Sequence, residues 1–313
     1  MASDFENQVR ATNEKINAQV RATNDKINAQ VRATNDKINA RTGRPLLRAI
    51  LVGLILGFAL LFSLIVFKPF FMIFAAALIG FTAYELASAL RIGGRDVPRI
   101  PTVIAAVAVV PAAFFFLVPG LWFATLGGIA FVTLWRLVEL IRPSARTSAS
   151  NALRDIAAGA FIMVYVAFLG GFTVLLTAQE GGQWWTLAFL IVVISVDVGA
   201  YATGVAFGKH KMAPVISPGK TWEGFAGSVA AALIAGILLS IFMLHQPWWL
   251  GVILGVVIVA TATGGDLTES LIKRDLGIKD ISSFLPGHGG FLDRIDSSLL
   301  SAAAAFALFV IFA

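Results

Sequence analysis

The sequence predicts an all-α, polytopic membrane protein of about nine transmembrane helices, preceded by a cytosolic helical segment of 11-residue repeats. Three observations carry this. First, 58% of the residues are hydrophobic, only 13% are charged, and the mean hydropathy is +0.84. Second, many apolar runs approach or exceed the roughly 20 residues that cross a bilayer. They are continuous rather than alternating, which excludes a β-barrel. Third, the opening stretch has a wholly different, polar and periodic composition. The chain has no cysteine, so disulfides and thiolate metal sites are excluded.

Residues 1–45 form the first module. QVRATNEKINA begins at Gln8, and QVRATNDKINA begins at Gln19 and again at Gln30. Eleven residues make almost three α-turns, so equivalent positions nearly superpose. Val9, Ile16, Val20, Ile27, Val31 and Ile38 then make one narrow stripe, with Asn13, Asn24 and Asn35 beside it. A continuous helix of this length reaches about 50 Å. The period favours a right-handed coiled coil. A membrane-surface helix is the rival, since every repeat carries Arg and Lys, and a polar tail only partly helical alone is the third reading.

Nine spans follow, over residues 46–67, 69–90, 100–118, 121–141, 156–177, 184–207, 222–243, 248–265 and 297–313. The connections fall into two sets. One carries Arg91, Arg95 and Arg99, then Arg142, Arg146 and Arg154, then Lys209, Lys211 and Lys220, then Lys273, Arg274, Lys279 and Arg294. The other has Lys68, a Pro119-Gly120 turn, the AQEGGQ loop and HQP. The positive-inside rule places the first set, and with it the repeats, in the cytosol. The C-terminus then lies outside. Within the spans Glu85, Arg136, Glu139, Asp197 and Asp266 all sit toward the cytosolic side. Ionisable groups at such depth usually face the bundle or water, which points to a cavity open to the cytosol and the inner leaflet. For Arg136 and Glu139 the alternative is snorkelling at a helix end.

Chemistry concentrates in residues 264–296. On a helix continuing out of the eighth span, Asp266, Glu269, Ser270, Lys273 and Arg274 share one face. Carboxylates hold a hard divalent ion and cations bind phosphate, and Mg²⁺–nucleotide sites use both. The plainer alternative is an i,i+4 ion-pair face. Next comes Leu285-Pro286-Gly287-His288-Gly289-Gly290, whose glycines allow a phosphate to approach the backbone. Asp293 and Asp296 follow, three apart on the next helix, where Asp293 is in a position to meet Asp266 across the spans. A second constellation runs from Asp197 to Ser217, Lys220, Thr221 and Glu223. Lys220 and Thr221 open the seventh span, and a helix N-terminus favours anions. The alternative is an ordinary cap, Thr221 capping with Glu223 in the first turn. The spacing is not that of a P-loop.

The stretch resembles the CDP-diacylglycerol synthase (phosphatidate cytidylyltransferase) family, whose signature reads S-x-x-K-R-x(4)-K-D-x(4)-L-P-G-H-G-G-x-x-D-R-x-D. Here it is complete over 27 positions, from Ser270, Lys273 and Arg274 through Lys279 and Asp280 to Asp293, Arg294 and Asp296. The upstream S-P-x-K-T-W-E-G element is present from Ser217 to Gly224, with Gly219 where the family often has Lys. That departure puts one phosphate contact in doubt. The resemblance covers about residues 46–313, is sharpest over 197–296, and does not include the repeats.

It implies transfer of a cytidylyl group from CTP to phosphatidic acid, giving CDP-diacylglycerol and pyrophosphate. Asp266 and Asp293 are then Mg²⁺ ligands, with Asp197 and Asp296 as supporting ligands or ligands of a second cation such as K⁺. Lys220, Lys273, Arg274 and Arg294 hold CTP phosphates or the phosphatidate headgroup. Ser217, Thr221, Ser270 and Lys279 line the substrate site, and His288 with Gly289 and Gly290 shapes the phosphate loop. The expected setting is the cytoplasmic membrane, as a homodimer aided by the repeat helix, with no nucleic-acid partner. The competing functions are a CTP-dependent polyprenol or phytol kinase, an ion-coupled transporter using Asp197 and Glu85, and a scaffold assembled by the repeats.

Overall fold

A computed structural model describes residues 46–141, 148–282, 284 and 289–313. The repeat segment and His288 lie outside the described residues. The described residues are almost wholly helical. In order, the elements are α1 (Leu46–Ile65), α2 (Lys68–Ile92), α3 (Arg99–Leu140), α4 (Ala149–Ile162), a π-helical turn (Met163–Phe168), α5 (Leu169–Ala178), α6 (Gly182–Phe207), strands β1 (Lys211–Ala213) and β2 (Ser217–Thr221), α7 (Trp222–Phe242), α8 (Trp248–Asp275) and α9 (Leu292–Phe312). Seven of the described helices are long and apolar enough to cross a membrane, counting Ala149–Ala178 as one. Helices dominate because a backbone in hydrocarbon must satisfy its own N–H and C=O groups. Many large apolar side chains face outward, such as Phe58, Phe123 and Phe242, as a lipid-facing surface requires.

The 42-residue α3 was expected as two spans joined at Pro119-Gly120. A straight helix of that length would reach about 63 Å, twice the hydrocarbon thickness of about 30 Å. It is not straight. Leu117 leaves helical geometry at φ 53°, ψ −137°, two residues ahead of Pro119, whose missing N–H and ring interrupt the helix at this point. The two arms fold side by side: a methyl group added at Gly171 would touch both Leu121 and Val109. One added at Gly120 would overlap the Ala112 carbonyl, so the turn accepts only glycine there.

Other boundaries differ as well. The fifth span begins at Ala149, not 156, and α9 begins at Leu292, not 297. The all-α expectation also missed a β-ribbon. β1 and β2 pair antiparallel, Lys211 with Thr221 and Ala213 with Ser217, with an irregularity between. Its base is locked to α7: the Trp222 amide donates to the His210 carbonyl at 2.9 Å, and Glu223 accepts from the Lys209 and His210 amides.

Two apolar cores hold the bundle. One joins α2, α3, α4 and α5, with Leu86, Val109, Ile162 and Leu175 fully buried. The other joins α6, α7, α8 and α9 around Phe189, Leu254 and Ile258. At the end of the bundle carrying residues 91–99, 136–141 and 148–155, Arg136 is 4% exposed and ion-paired with Asp155 (2.7 Å), Asp96 (3.0 Å) and Glu139 (3.2 Å). It does not snorkel. It ties the loop after α2, the second arm of α3 and the start of α4 into one knot, because a guanidinium buried there must be neutralised.

Candidate active site

The site begins with close helix packing. α6, α7, α8 and α9 pack in sequence, each against its neighbours in the chain. A methyl group on Gly265 would overlap the backbone of Asp296, so α8 and α9 nearly touch where their carboxylates sit. On the α6–α7 side the Ser228 hydroxyl donates to the Val196 carbonyl at 3.0 Å, fixing Asp197 beside α7. Between α6, the β-ribbon, α7 and α8 lies a cavity of about 250 Å³, lined among others by Asp197, Tyr201, Gly219, Lys220, Thr221 and Asp266.

Lys220, the penultimate residue of β2, reaches across this cavity to Asp266 on α8, with Nζ 2.6 Å from Oδ2. The ribbon is what delivers it there. The Thr221 hydroxyl caps α7 by accepting from the Gly224 amide at 3.1 Å, and the residue also lines the cavity. Gly219 also lines the cavity, with open space where a side chain would begin, so the departure from the family pattern removes no packing contact.

A second ion-pair system lies further along α8. Helical spacing brings Glu269 and Lys273 together at 2.7 Å, and Lys273 also meets Asp293 of α9 at 2.9 Å. Asp293 reaches back to accept from the Gly290 amide at 2.8 Å. Ser270 donates to Asp266 at 3.4 Å. Asp296 is buried and accepts from the Ser297 amide at 2.6 Å. Asp197, Asp266, Glu269, Asp293 and Asp296 stand in a chain of electrostatic contact with one another.

The expected face on α8 therefore forms, but not all of it turns to one place. Arg274 is exposed and donates to the Ile216 carbonyl at 3.2 Å, tying the ribbon's turn to α8. Lys279 is exposed beyond α8, Ser217 sits in β2 away from the cavity lining, and Arg294 is exposed on the first turn of α9 within electrostatic range of Asp197. Gly289, at φ +81°, and Gly290 lead into α9.

Two buried features had not been assigned from sequence. Glu269 is 2% exposed, and its Oε1 has no hydrogen-bond partner among the described residues. Glu85 of α2 accepts from Ser282, Phe291 and Leu292. The sequence signal for Glu85 was a carboxylate inside an apolar run; that for Glu269 was its place on the charged face of α8.

The donor chemistry fits a hard cation: every ligand type gathered here is a carboxylate oxygen, one buried carboxylate oxygen is orphaned, and five carboxylates sit with Lys220, Lys273 and Arg294. Among the described residues no three acidic or imidazole side chains already converge as a metal-binding group. Lysines hold Asp266 and Asp293 instead.

Residues 47–312 match the profile of the cytidylyltransferase family. The chain is 42% identical over 273 residues to the phosphatidate cytidylyltransferase of Mycobacterium bovis, covering 85% of this chain and 89% of the relative. It is 37% identical over 276 residues to that of Mycobacterium leprae, covering 86% and 88%. Against that of Staphylococcus epidermidis the identity is 44% over 141 residues, 44% of this chain and 54% of the relative.

Proposed function

We infer the activity from one premise: the chain belongs to the cytidylyltransferase family. It is an enzyme of phospholipid biosynthesis that transfers the cytidylyl group of CTP to phosphatidic acid, giving CDP-diacylglycerol and pyrophosphate. An oxygen of the phosphatidate phosphate bonds to the α-phosphorus of CTP, and the bond to the bridging oxygen of pyrophosphate breaks. The acceptor phosphate is already ionised at neutral pH, so no strong base is needed. The difficulty is bringing two polyanions together, and positioning with charge neutralisation supplies the catalysis.

The proposed division of labour follows the two ion-pair systems. Lys220 faces the cavity and takes a phosphate oxygen of CTP. Lys273 takes another from its place between Glu269 and Asp293. Each lysine that turns to phosphate releases a carboxylate, Asp266 and Asp293 in turn. Those two carboxylates would hold Mg²⁺, with Asp197 and Asp296 supporting it or a second cation such as K⁺. The metal supplies charge neutralisation at the phosphates. Arg294 stands at the rim for the phosphatidate headgroup, and Arg274 holds the β-ribbon so that Lys220 keeps its reach. The observation carrying this reading is the Lys220–Asp266 pair, which joins two sequence motifs at one cavity.

The topology proposed is nine spans. The two arms of α3 count separately, and Leu46–Ile65 counts as the first. The N-terminus and the site then face the cytosol, in the cytoplasmic membrane, with homodimerisation aided by the repeats.

The test is product identity with purified protein, CTP and either phosphatidate or a polyprenol. Liponucleotide and pyrophosphate from phosphatidate are expected, abolished by chelation and restored by Mg²⁺. CDP with a phosphorylated alcohol would overturn the assignment, and turnover indifferent to chelation would overturn the metal.

A further inference from the structure

We propose that Glu85, on a helix carrying no motif residue, is a positioning residue for the active site: its carboxylate fixes the start of α9 and so the place of Asp293. The inference rests on the catalytic reading of Asp293 given above.

Glu85 is 3% exposed inside an apolar span, a costly location for a carboxylate. It is fully used there. Oε1 accepts from the Ser282 hydroxyl at 2.6 Å; Oε2 accepts from the amides of Phe291 at 2.7 Å and Leu292 at 3.1 Å. Those amides open α9, where N–H groups have no partner within the helix and a negative charge is favoured. Asp293 is the next residue. Its carboxylate accepts from the Gly290 amide on one oxygen and pairs with Lys273 on the other. One turn before Glu85 on α2, Phe81 stacks on Phe291 with centroids 4.9 Å apart and planes 9° apart, and also meets Phe284 at 5.6 Å. α2 thus grips the segment entering α9 at a polar and an aromatic point, just ahead of Asp293. A hydrogen-bond staple serving folding alone could sit anywhere along α9. This one sits within two residues of the carboxylate that meets Lys273.

The test uses the full chain with Glu85→Ala, Glu85→Gln and Ser282→Ala, measuring kcat, KM for CTP, folded fraction, and hydrogen exchange of peptides spanning residues 284–292. For Glu85→Ala, kcat per folded molecule falls by roughly 10²-fold, the scale of an ångström-sized misplacement. KM changes less than about threefold, as for an interaction realised in the transition state. Exchange quickens in 284–292 and not in the other spans. Glu85→Gln keeps an oxygen for the two amides and an NH₂ for the serine, so it restores kcat to within roughly tenfold of the parent. Unchanged kcat and exchange in Glu85→Ala, or a kcat loss matching the loss of folded protein, overturns the proposal. If Glu85→Ala does not fold, parental kcat and exchange in both other variants overturn it. Faster exchange in Glu85→Ala together with a fully active Asp293→Asn would keep Glu85 as the loop's anchor and sink only the catalytic reading of Asp293.

Discussion

Replacing Asp293 with asparagine isolates charge from shape. Asp293 makes two charge-assisted contacts, to Lys273 Nζ at 2.9 Å and from the Gly290 amide at 2.8 Å. An asparagine can accept with one oxygen only, so it keeps one contact and turns an NH₂ toward the other. Hydrogen bonds to charged groups contribute about 1.5–3 kcal/mol. Losing one leaves the protein folded but less stable, and Lys273 retains Glu269 at 2.7 Å. The effect on catalysis is larger. Removing one preorganised electrostatic group from a transition state typically costs about 10²–10³ in kcat, or about 2.7–4 kcal/mol. Asp293→Asn is therefore expected to lose at least roughly 10²-fold in kcat, while remaining membrane-inserted and monodisperse. The assay is liponucleotide formation from CTP and phosphatidate in mixed micelles, with thermal unfolding alongside. A variant with near-parental kcat would refute the reasoning, because the carboxylate's charge would then be idle.

Three further outcomes are expected. Lys220→Met removes the cation facing the cavity, and kcat/KM for CTP falls about 10–100-fold, the scale of one charge-assisted contact; steady-state kinetics at fixed phosphatidate check it. Arg136→Met leaves the Asp155 carboxylate buried without its countercharge, held by the Asp96 amide alone, which destabilises by about 3–5 kcal/mol. Adding Asp155→Leu recovers much of that, while turnover per folded molecule stays near parental throughout; thermal unfolding and specific activity are the measurements. Deleting residues 1–40 spares turnover per folded molecule and weakens self-association, read by sedimentation in detergent.

Much of this protein is set by local sequence. Apolar runs without alternation determine a helical membrane fold, because hydrocarbon offers no other partner to the backbone. The i,i+4 spacing of Glu269 and Lys273 determines their contact once the helix forms. Thr221 before Trp222 determines an N-cap for the same reason. The family signature over Ser270–Asp296 is likewise legible in one dimension.

What depends on long-range packing was not legible. A three-residue strand has too few residues for a periodicity, so the ribbon that aims Lys220 at Asp266 went unseen. Arg136 was ambiguous because the same helix-end residue snorkels or turns inward according to what packs beside it. Asp155, 19 residues away, decided that. Arg274 shares a helical face with Asp266, yet its guanidinium is claimed by the Ile216 carbonyl. Glu85 was a charge in an apolar run, and its partners lie about 200 residues further on. The charged groups and their order along each helix are legible in one dimension. Which cation faces which carboxylate is a matter of packing, because opposite charges pair by distance in space, and helix packing sets that distance.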